Sequence, residues 1–530
     1  MWATTRTVSL QGAIGHVIDV QVDITPGKAQ TALVGRPDTS INEARDRCRS
    51  ALDNSGYDWP VTRRITILLS PADVPKRGPH FDLAIATGVI AAMDSEVPRT
   101  ALEHSALIGE LTLDGRVRCV PGVLPMVMAA AAAGVSAVIV PEPQVPEASL
   151  VPDMTVLGVR SLPQVIALLK GEQIPEAPPV EPMTSRALLS WVGEQQVHEV
   201  DFSDVTGVPE ARYAIEVAAA GGHHLHLTGP RGSGKTTLAE RIPTILPDLD
   251  QTELLELTAV HSLAGTLAPD GRISPRPPFR APHHSASRSG VLGGGSGRVR
   301  PGEVSKAHLG VLFLDEFPLF PMDVIEALRE PLEGGRISIS RGEEEATYPA
   351  RAMTVLASNP CPCGNYHNDP SLDACRCQET SRRNYRRKLS GPVLDRIDIT
   401  LHVRPVPAHQ HSPVYGVPES SARIRERVTL ARERQAERYA GHDWRLNAHV
   451  PGPALAERWP LEPEAAAELR TTVLAGRLTQ RGGVRVHRLA WSVADLNGLD
   501  RPDLECVRVA TALREGAGAM SLPLRRKQAM

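Results

Sequence analysis

The hydrophobic pattern changes character three times along the chain. Up to about residue 170, short apolar runs such as ITILLS (65–70) and SAVIV (136–140) alternate with helical ones such as FDLAIATGVIAAM, which predicts an α/β domain over 1–170. From Cys119 to Pro141 there is no charged residue, a length that would suit a membrane span. Pro121 and Pro125 interrupt that stretch and alanine fills its middle, so it predicts a buried helix followed by a core strand. The proline-rich segment GEQIPEAPPVEPMTS has no apolar period and opens a linker over 171–200. A second α/β region over 201–405 carries the strands HLHLTG (224–229), GVLFLD (310–315) and MTVLASN (353–359). After it the strand pattern vanishes, and runs such as SSARIRERVTLARERQAERYA and HRLAWSVADLNG predict a helical domain over 406–530.

Length and composition sharpen this picture. With 530 residues, 42% of them hydrophobic, the chain is expected to form about three domains, each with its own core. A net charge of −3 excludes a globally basic nucleic-acid coat protein and leaves polyanion contacts to local patches. The opening MWATTRTVSLQ lacks the charged and apolar regions of a signal peptide, which predicts a cytoplasmic protein without a membrane partner. Four of the seven cysteines crowd into seventeen positions, a pattern of metal ligation in a reducing compartment.

Only seven of the 58 basic residues are lysine, so a lysine inside a glycine loop stands out. Lys235 closes the run Gly229, Pro230, Arg231, Gly232, Ser233, Gly234, Lys235, Thr236, a complete G-x-x-x-x-G-K-[ST] between the strand HLHLT and a helix beginning at Thr236 and Thr237. Glycines let successive N–H groups wrap the phosphates of ATP, the helix N-terminus favours negative charge, Lys235 reaches the β and γ oxygens, and Thr236 is a Mg²⁺ ligand. About 80 residues on, the apolar strand GVLFL ends in Asp315 and Glu316. Paired with the phosphate loop, Asp315 is expected to hold Mg²⁺ through water and Glu316 to orient or deprotonate the attacking water. The next strand ends at Asn359, an amide placed either to orient the attacking water or sense the γ-phosphate, or simply to turn the chain before Pro360.

Cys361, Cys363, Cys375 and Cys377 form two C-x-C pairs that would close a tetrahedral, structural Zn²⁺ site stapling a loop, with reduced free thiols as the alternative. His367 between the pairs is a substitute ligand. Two basic patches suit a nucleic-acid backbone. Arg272, Arg276, Arg280, Arg288, Arg298, Arg300 and Lys306 stand against Glu303 alone in a glycine- and serine-rich insert, and Arg382, Arg383, Arg386, Arg387 and Lys388 follow the cysteines. A solvated face or inter-subunit phosphate contacts are the other readings of both patches.

Three stretches, DFSDVTGVPEARYAIEVAAAGGHHLHLTGPRGSGKT, PFRAPHHSASRSGVLGGGSGRVRPGEVSKAHLGVLFLDE and NPCPCG…CRC…YRRKLSGPVLDRIDI, resemble the ComM/YifB family of magnesium-chelatase-like AAA+ ATPases. The resemblance implies a P-loop NTPase core, a helical lid and an ATP-driven homo-oligomeric ring, usually a hexamer, whose sites are completed by neighbours. It implies an arginine finger at Arg396 and a sensor arginine at Arg481, both stabilising charge on the transferring phosphoryl group. The work it implies is translocation on single-stranded or branched DNA, as a helicase in branch migration during recombination or natural transformation. The alternative is a chelatase-type motor serving a partner subunit. VPKRGPHFDLAIA and IGELTLDGRVRCVPGVLPMVMAAAAAG further resemble the proteolytic domain of Lon-type proteases, with His80 where that family has its serine and Leu124 where it has its lysine. Imidazole and hydrocarbon cannot run Ser-Lys chemistry, so a proteolytically inactive domain is expected.

Overall fold

The computed structural model describes residues 1–181, 200–267, 274–295, 299–341, 344–366, 374–389, 393–405 and 419–516. Arg272, Arg298, His367 and the second half of the expected linker lie outside the described residues.

The N-terminal region is built on a seven-stranded sheet in the order Gln30–Val34, Arg64–Ser70, Ile14–Thr25, Trp2–Gln11, Ser105–Leu107, Ala137–Pro141, Thr155–Val159. Its centre is a long antiparallel ribbon, Trp2–Gln11 against Ile14–Thr25, which the sequence reading did not anticipate. The uncharged stretch folds as expected, a mostly buried helix Val123–Ala132 followed by the core strand Ala137–Pro141. Among the described residues no helix is long and apolar enough to cross a membrane. The proline-rich segment does not leave the domain at once. Gln164 donates to the Pro175 carbonyl (2.8 Å) and Arg160 to that of Ala177 (3.1 Å), which straps this stretch to the domain.

The second region carries a five-stranded, wholly parallel sheet in the order Phe279–Arg280, Val311–Leu314, Met353–Ser358, Leu225–Thr228, Ile399–His402. Its central strands are apolar on both faces, as a parallel sheet covered by helices requires. Helix Pro209–Gly221 covers one face and ends at Gly222, whose left-handed backbone (φ 73°) turns the chain through His223 and His224 into the phosphate-loop strand.

The expectation of three separate cores is not met. Ile424, Val428 and Val486 of the C-terminal helices share one apolar cluster with Leu225, Leu227 and Val355 of the parallel sheet. A second cluster joins Val8, Leu124 and Val127 of the N-terminal region to Leu263, Leu312 and Leu314. Among the described residues, the cluster beneath the N-terminal ribbon, around Ile18, Ile67 and Phe81, and a small one around Tyr439, Leu455 and Trp491 each belong to one region alone. Periodicity marks which face of an element is apolar, not which element it will meet.

Candidate active site

The strand Leu225–Thr228 is buried and delivers Gly229 to the mouth of the sheet, where the helix Lys235–Ile245 begins after Gly234. Gly232 (φ 73°) and Gly234 (φ 86°) are left-handed, with nothing within 4 Å of where a Cβ would stand. The cradle is therefore open, and its backbone shape is one that side-chain-bearing residues resist. Lys235 is 8% exposed. Its ammonium donates to the carbonyls of Gly229 and Pro230 (both 2.8 Å) and to Oδ1 of Asn359 (3.2 Å). Burial lowers its pKa below the ordinary lysine value, and the carboxylates of Asp315 and Glu316 oppose that shift.

The strand order decides what faces the loop. Met353–Ser358 lies between the phosphate-loop strand and the strand ending at Leu314, so two strand spacings, about 10 Å, separate the loop from the two acids. Asn359 leaves the intervening strand inside that gap, its N–H donating to the hydroxyl of buried Tyr385 (3.3 Å). Across the gap, Thr236 Oγ1 donates to Asp315 Oδ2 (3.2 Å), and the Glu316 N–H donates to Asp315 Oδ1 (2.8 Å). Glu316 itself is left-handed (φ 48°), a conformation that costs a non-glycine residue about 1 kcal/mol or more. Its Oε2 lies 3.5 Å from Nδ1 of His284. Thr236, Glu240, His284, Asp315 and Glu316 line a cleft of roughly 330 Å³. The open glycine cradle and the paired oxygens of Thr236 and Asp315 fit a nucleoside triphosphate with Mg²⁺. His284, Tyr385 and Glu333 (below) were missed in the sequence; PHHS directly after a strand was the available signal for the first.

Arg396 does not extend from the surface. It is 5% exposed, and its Nη2 lies 2.6 Å from Glu333 Oε1, a pairing that holds the Glu333 carboxyl below its usual range. Arg481 is exposed in the first turn of the helix Gln480–Asn497, capped by Thr479, and also acts on Glu333 through space. One turn on, Arg485 contacts Asp398 just beyond Arg396, and Asp398 also accepts from the His224 N–H (3.0 Å). Burial alone would raise the Asp398 pKa, yet Arg485 and His223 hold it well below the carboxylate range.

The four cysteines converge. Their sulfurs all lie within 4.8 Å of one another, with Cys361 to Cys363 at 3.3 Å and Cys375 to each of them at 3.6 Å. A tetrahedral Zn–S₄ site with bonds of about 2.3 Å sets its sulfurs about 3.8 Å apart, so the set fits that ion. The backbone N–H of Asn365 brings the Cys363 thiol down to about 6. The loop abuts the phosphate loop: Arg231 donates to the Pro362 carbonyl (3.4 Å), and a Cβ at Gly364 would stand 2.9 Å from Arg231 Cγ.

The basic insert is more structured and less free than expected. Its described part contains the strand Phe279–Arg280 and the helices Arg288–Leu292 and Glu303–Lys306. Lys306 pairs with Glu303 (2.9 Å), and Arg288 pairs with Asp323 (3.6 Å), an acid remote in sequence. Arg300 is exposed. In the second run, on helix Glu379–Leu389, Arg382 and Arg386 lie over the ring of Tyr366 at 5.0 and 4.5 Å, while Arg383 and Arg387 are exposed. In the N-terminal region His80 is buried with Nε2 2.8 Å from the Val8 carbonyl, and Leu124 is fully buried in the shared apolar cluster.

Three family models match the chain: subunit ChlI of Mg-chelatase over 20–144, magnesium chelatase subunit ChlI over 201–411, and the ChlI C-terminal model over 418–514. An uncharacterized protein of Mycobacterium tuberculosis is 45% identical over 96% of this chain and 98% of its own. The uncharacterized protein YifB of Escherichia coli is 40% identical over 93% of each chain, and the competence protein ComM of Haemophilus influenzae 37% identical over 92% of each. Likeness at this level over nearly the whole length, joined to a phosphate loop one strand away from paired acids, makes the chain a member of the ComM/YifB family of magnesium-chelatase-like AAA+ proteins.

Proposed function

We propose that this protein is a ring-forming ATPase that translocates on DNA, a helicase acting in branch migration during recombination or the uptake of transforming DNA. The observation that carries the ATPase part is the convergence of Lys235, Asn359, Thr236, Asp315 and Glu316 across one strand gap. In this reading Gly229 to Thr237 bind ATP through backbone N–H groups and Lys235, and Thr236 and Asp315 hold Mg²⁺, which when bound neutralises charge on the phosphates. Glu316 accepts the proton of the attacking water, and Asn359 orients that water or senses the γ-phosphate. Arg396 acts on the site of a neighbouring subunit and Arg481 on its own, so an oligomer is the working form, and the family resemblance makes it a hexamer.

The finer domain plan belongs to the same proposal: a proteolytically inactive Lon-like domain over 1–170, a linker over 171–200, an ATPase core over 201–405 and a helical lid over 406–530. A structural Zn²⁺ on the four cysteines would brace the loop that touches Arg231. The DNA part draws on the name of the competence relative and on the exposed side chains of Arg300, Arg383 and Arg387. The family descriptions favour a second reading, a chelatase-type motor driving a partner subunit. ATPase rates with single-stranded, duplex and branched DNA separate the two: stimulation supports the DNA motor, and indifference to all three supports the chelatase type.

A further inference from the structure

The strand Phe279–Arg280 pairs in parallel with the acid-bearing strand, Phe279 beside Val311 and Arg280 beside Leu312. Residues 281–284 therefore run on alongside Phe313 to Glu316 and bring two imidazoles into the cleft. The two rings lie 4.1 Å apart, centre to centre. His283 is fixed from behind, its Nδ1 accepting from the Ser285 N–H (3.3 Å) and lying 2.6 Å from the Ser285 hydroxyl. His284 carries its Nδ1 to 3.5 Å from Glu316 Oε2. The Glu316 backbone is pinned in a left-handed turn by its N–H on Asp315, which leaves side-chain torsions as the freedom of its carboxylate.

We infer that His284 is a positioning residue for ATP hydrolysis: by holding Oε2 of Glu316 it directs Oε1 at the attacking water. A general base works only within hydrogen-bond reach of the proton it takes, so a carboxylate free to rotate loses turnover without losing affinity for the nucleotide. The inference rests on the proposed role of Glu316 as base.

The test measures steady-state ATP hydrolysis and binding of a fluorescent ATP analogue by the full chain. His284→Ala should lower kcat by roughly tenfold to a hundredfold while analogue affinity stays within about twofold of the parent. His284→Gln, whose amide still donates, should recover most of the loss. In a Glu316→Gln background, adding His284→Ala should cost nothing more, because the group it positions is gone. A kcat for His284→Ala equal to or above the parent's, with Glu316→Gln inactive, would overturn the inference and leave the role of Glu316 standing; so would affinity falling in step with kcat. Normal turnover by Glu316→Gln would instead remove the base itself, and the inference with it.

Discussion

The ammonium of Lys235 is bonded to the side-chain oxygen of Asn359, so the phosphate loop and the end of the neighbouring strand are joined through one lysine. Lys235→Ala removes both the charge offered to the phosphates and this link, and nucleotide binding should be lost. Glu316→Gln keeps the loop intact and should bind ATP while hydrolysing it at least about a hundredfold more slowly, since a general base contributes on that order. Equilibrium binding and single-turnover hydrolysis on the two variants check the split.

The sulfur cluster should hold about one Zn²⁺ per chain, measurable by elemental analysis of protein made in zinc-replete medium. Replacing Cys361 and Cys375 by Ser should abolish it. Metal-free wild-type protein from that medium would leave the cysteines as reduced thiols.

Arg396 contacts Glu333 of its own chain, so service to a neighbour requires that this pair part on assembly. Arg396→Ala should keep nucleotide binding and lose hydrolysis. Mixed with Lys235→Ala, each subunit donates what the other lacks, and some interfaces should regain activity. Proven mixed rings with no recovery would make Arg396 a structural partner of Glu333.

If the insert grips phosphates, affinity for duplex DNA should fall with salt by roughly 0.9 log units per log unit for each phosphate neutralised. Replacing Arg298 and Arg300 with Ala should make the slope shallower and weaken binding about equally across sequences. An unchanged slope transfers the role to helix Glu379–Leu389, where Arg383, Arg386 and Arg387 are exposed.

Burial pushes the imidazoles of His224, His226, His261 and His487 down to about 4. Unfolded histidine titrates near 6.5, so between those values the unfolded chain binds more protons than the folded one. Stability is thus fully present above pH of about 6.5 and lost as pH falls toward 4, by up to about 3 kcal/mol per histidine. Asp82, pushed up to about 6 by burial against the pull of Arg47, works in the opposite direction over nearly the same window. Melting temperatures across pH 4 to 8 should fall on the acid side, and His226→Gln should flatten the curve; His226 is the clean probe, because burial alone shifts it and its Nε2 lies 2.8 Å from the Ser358 hydroxyl.

What the sequence made legible were features whose chemistry is local. The phosphate loop, the acids after GVLFL and the C-x-C pairs each carry their meaning within a few residues, and each stands where spacing put it. Contacts between distant segments were invisible: Asp323 answers Arg288, Glu333 answers Arg396, and His284 reaches Glu316 only because two strands pair in parallel. The N-terminal ribbon was missed for a different reason. WATTRTVSLQ alternates its polar positions inward as well as outward, and Thr5, Thr7 and Ser9 are buried, which hides the period of two.

The apolar cluster shared by Ile424, Val428, Val486 and the parallel sheet bears on how the C-terminal helices move during a catalytic cycle. A hinge that swung them clear would wet this seam at about 2.5 kcal/mol for every 100 Å² of apolar surface uncovered, the common rate being about 25 cal/mol per Å². Sliding keeps the seam dry. Motion coupled to nucleotide is therefore expected as shear, small displacements of Gln480–Asn497 over the sheet that carry Arg481 and Arg485 together, the two being one turn apart on one rigid rod.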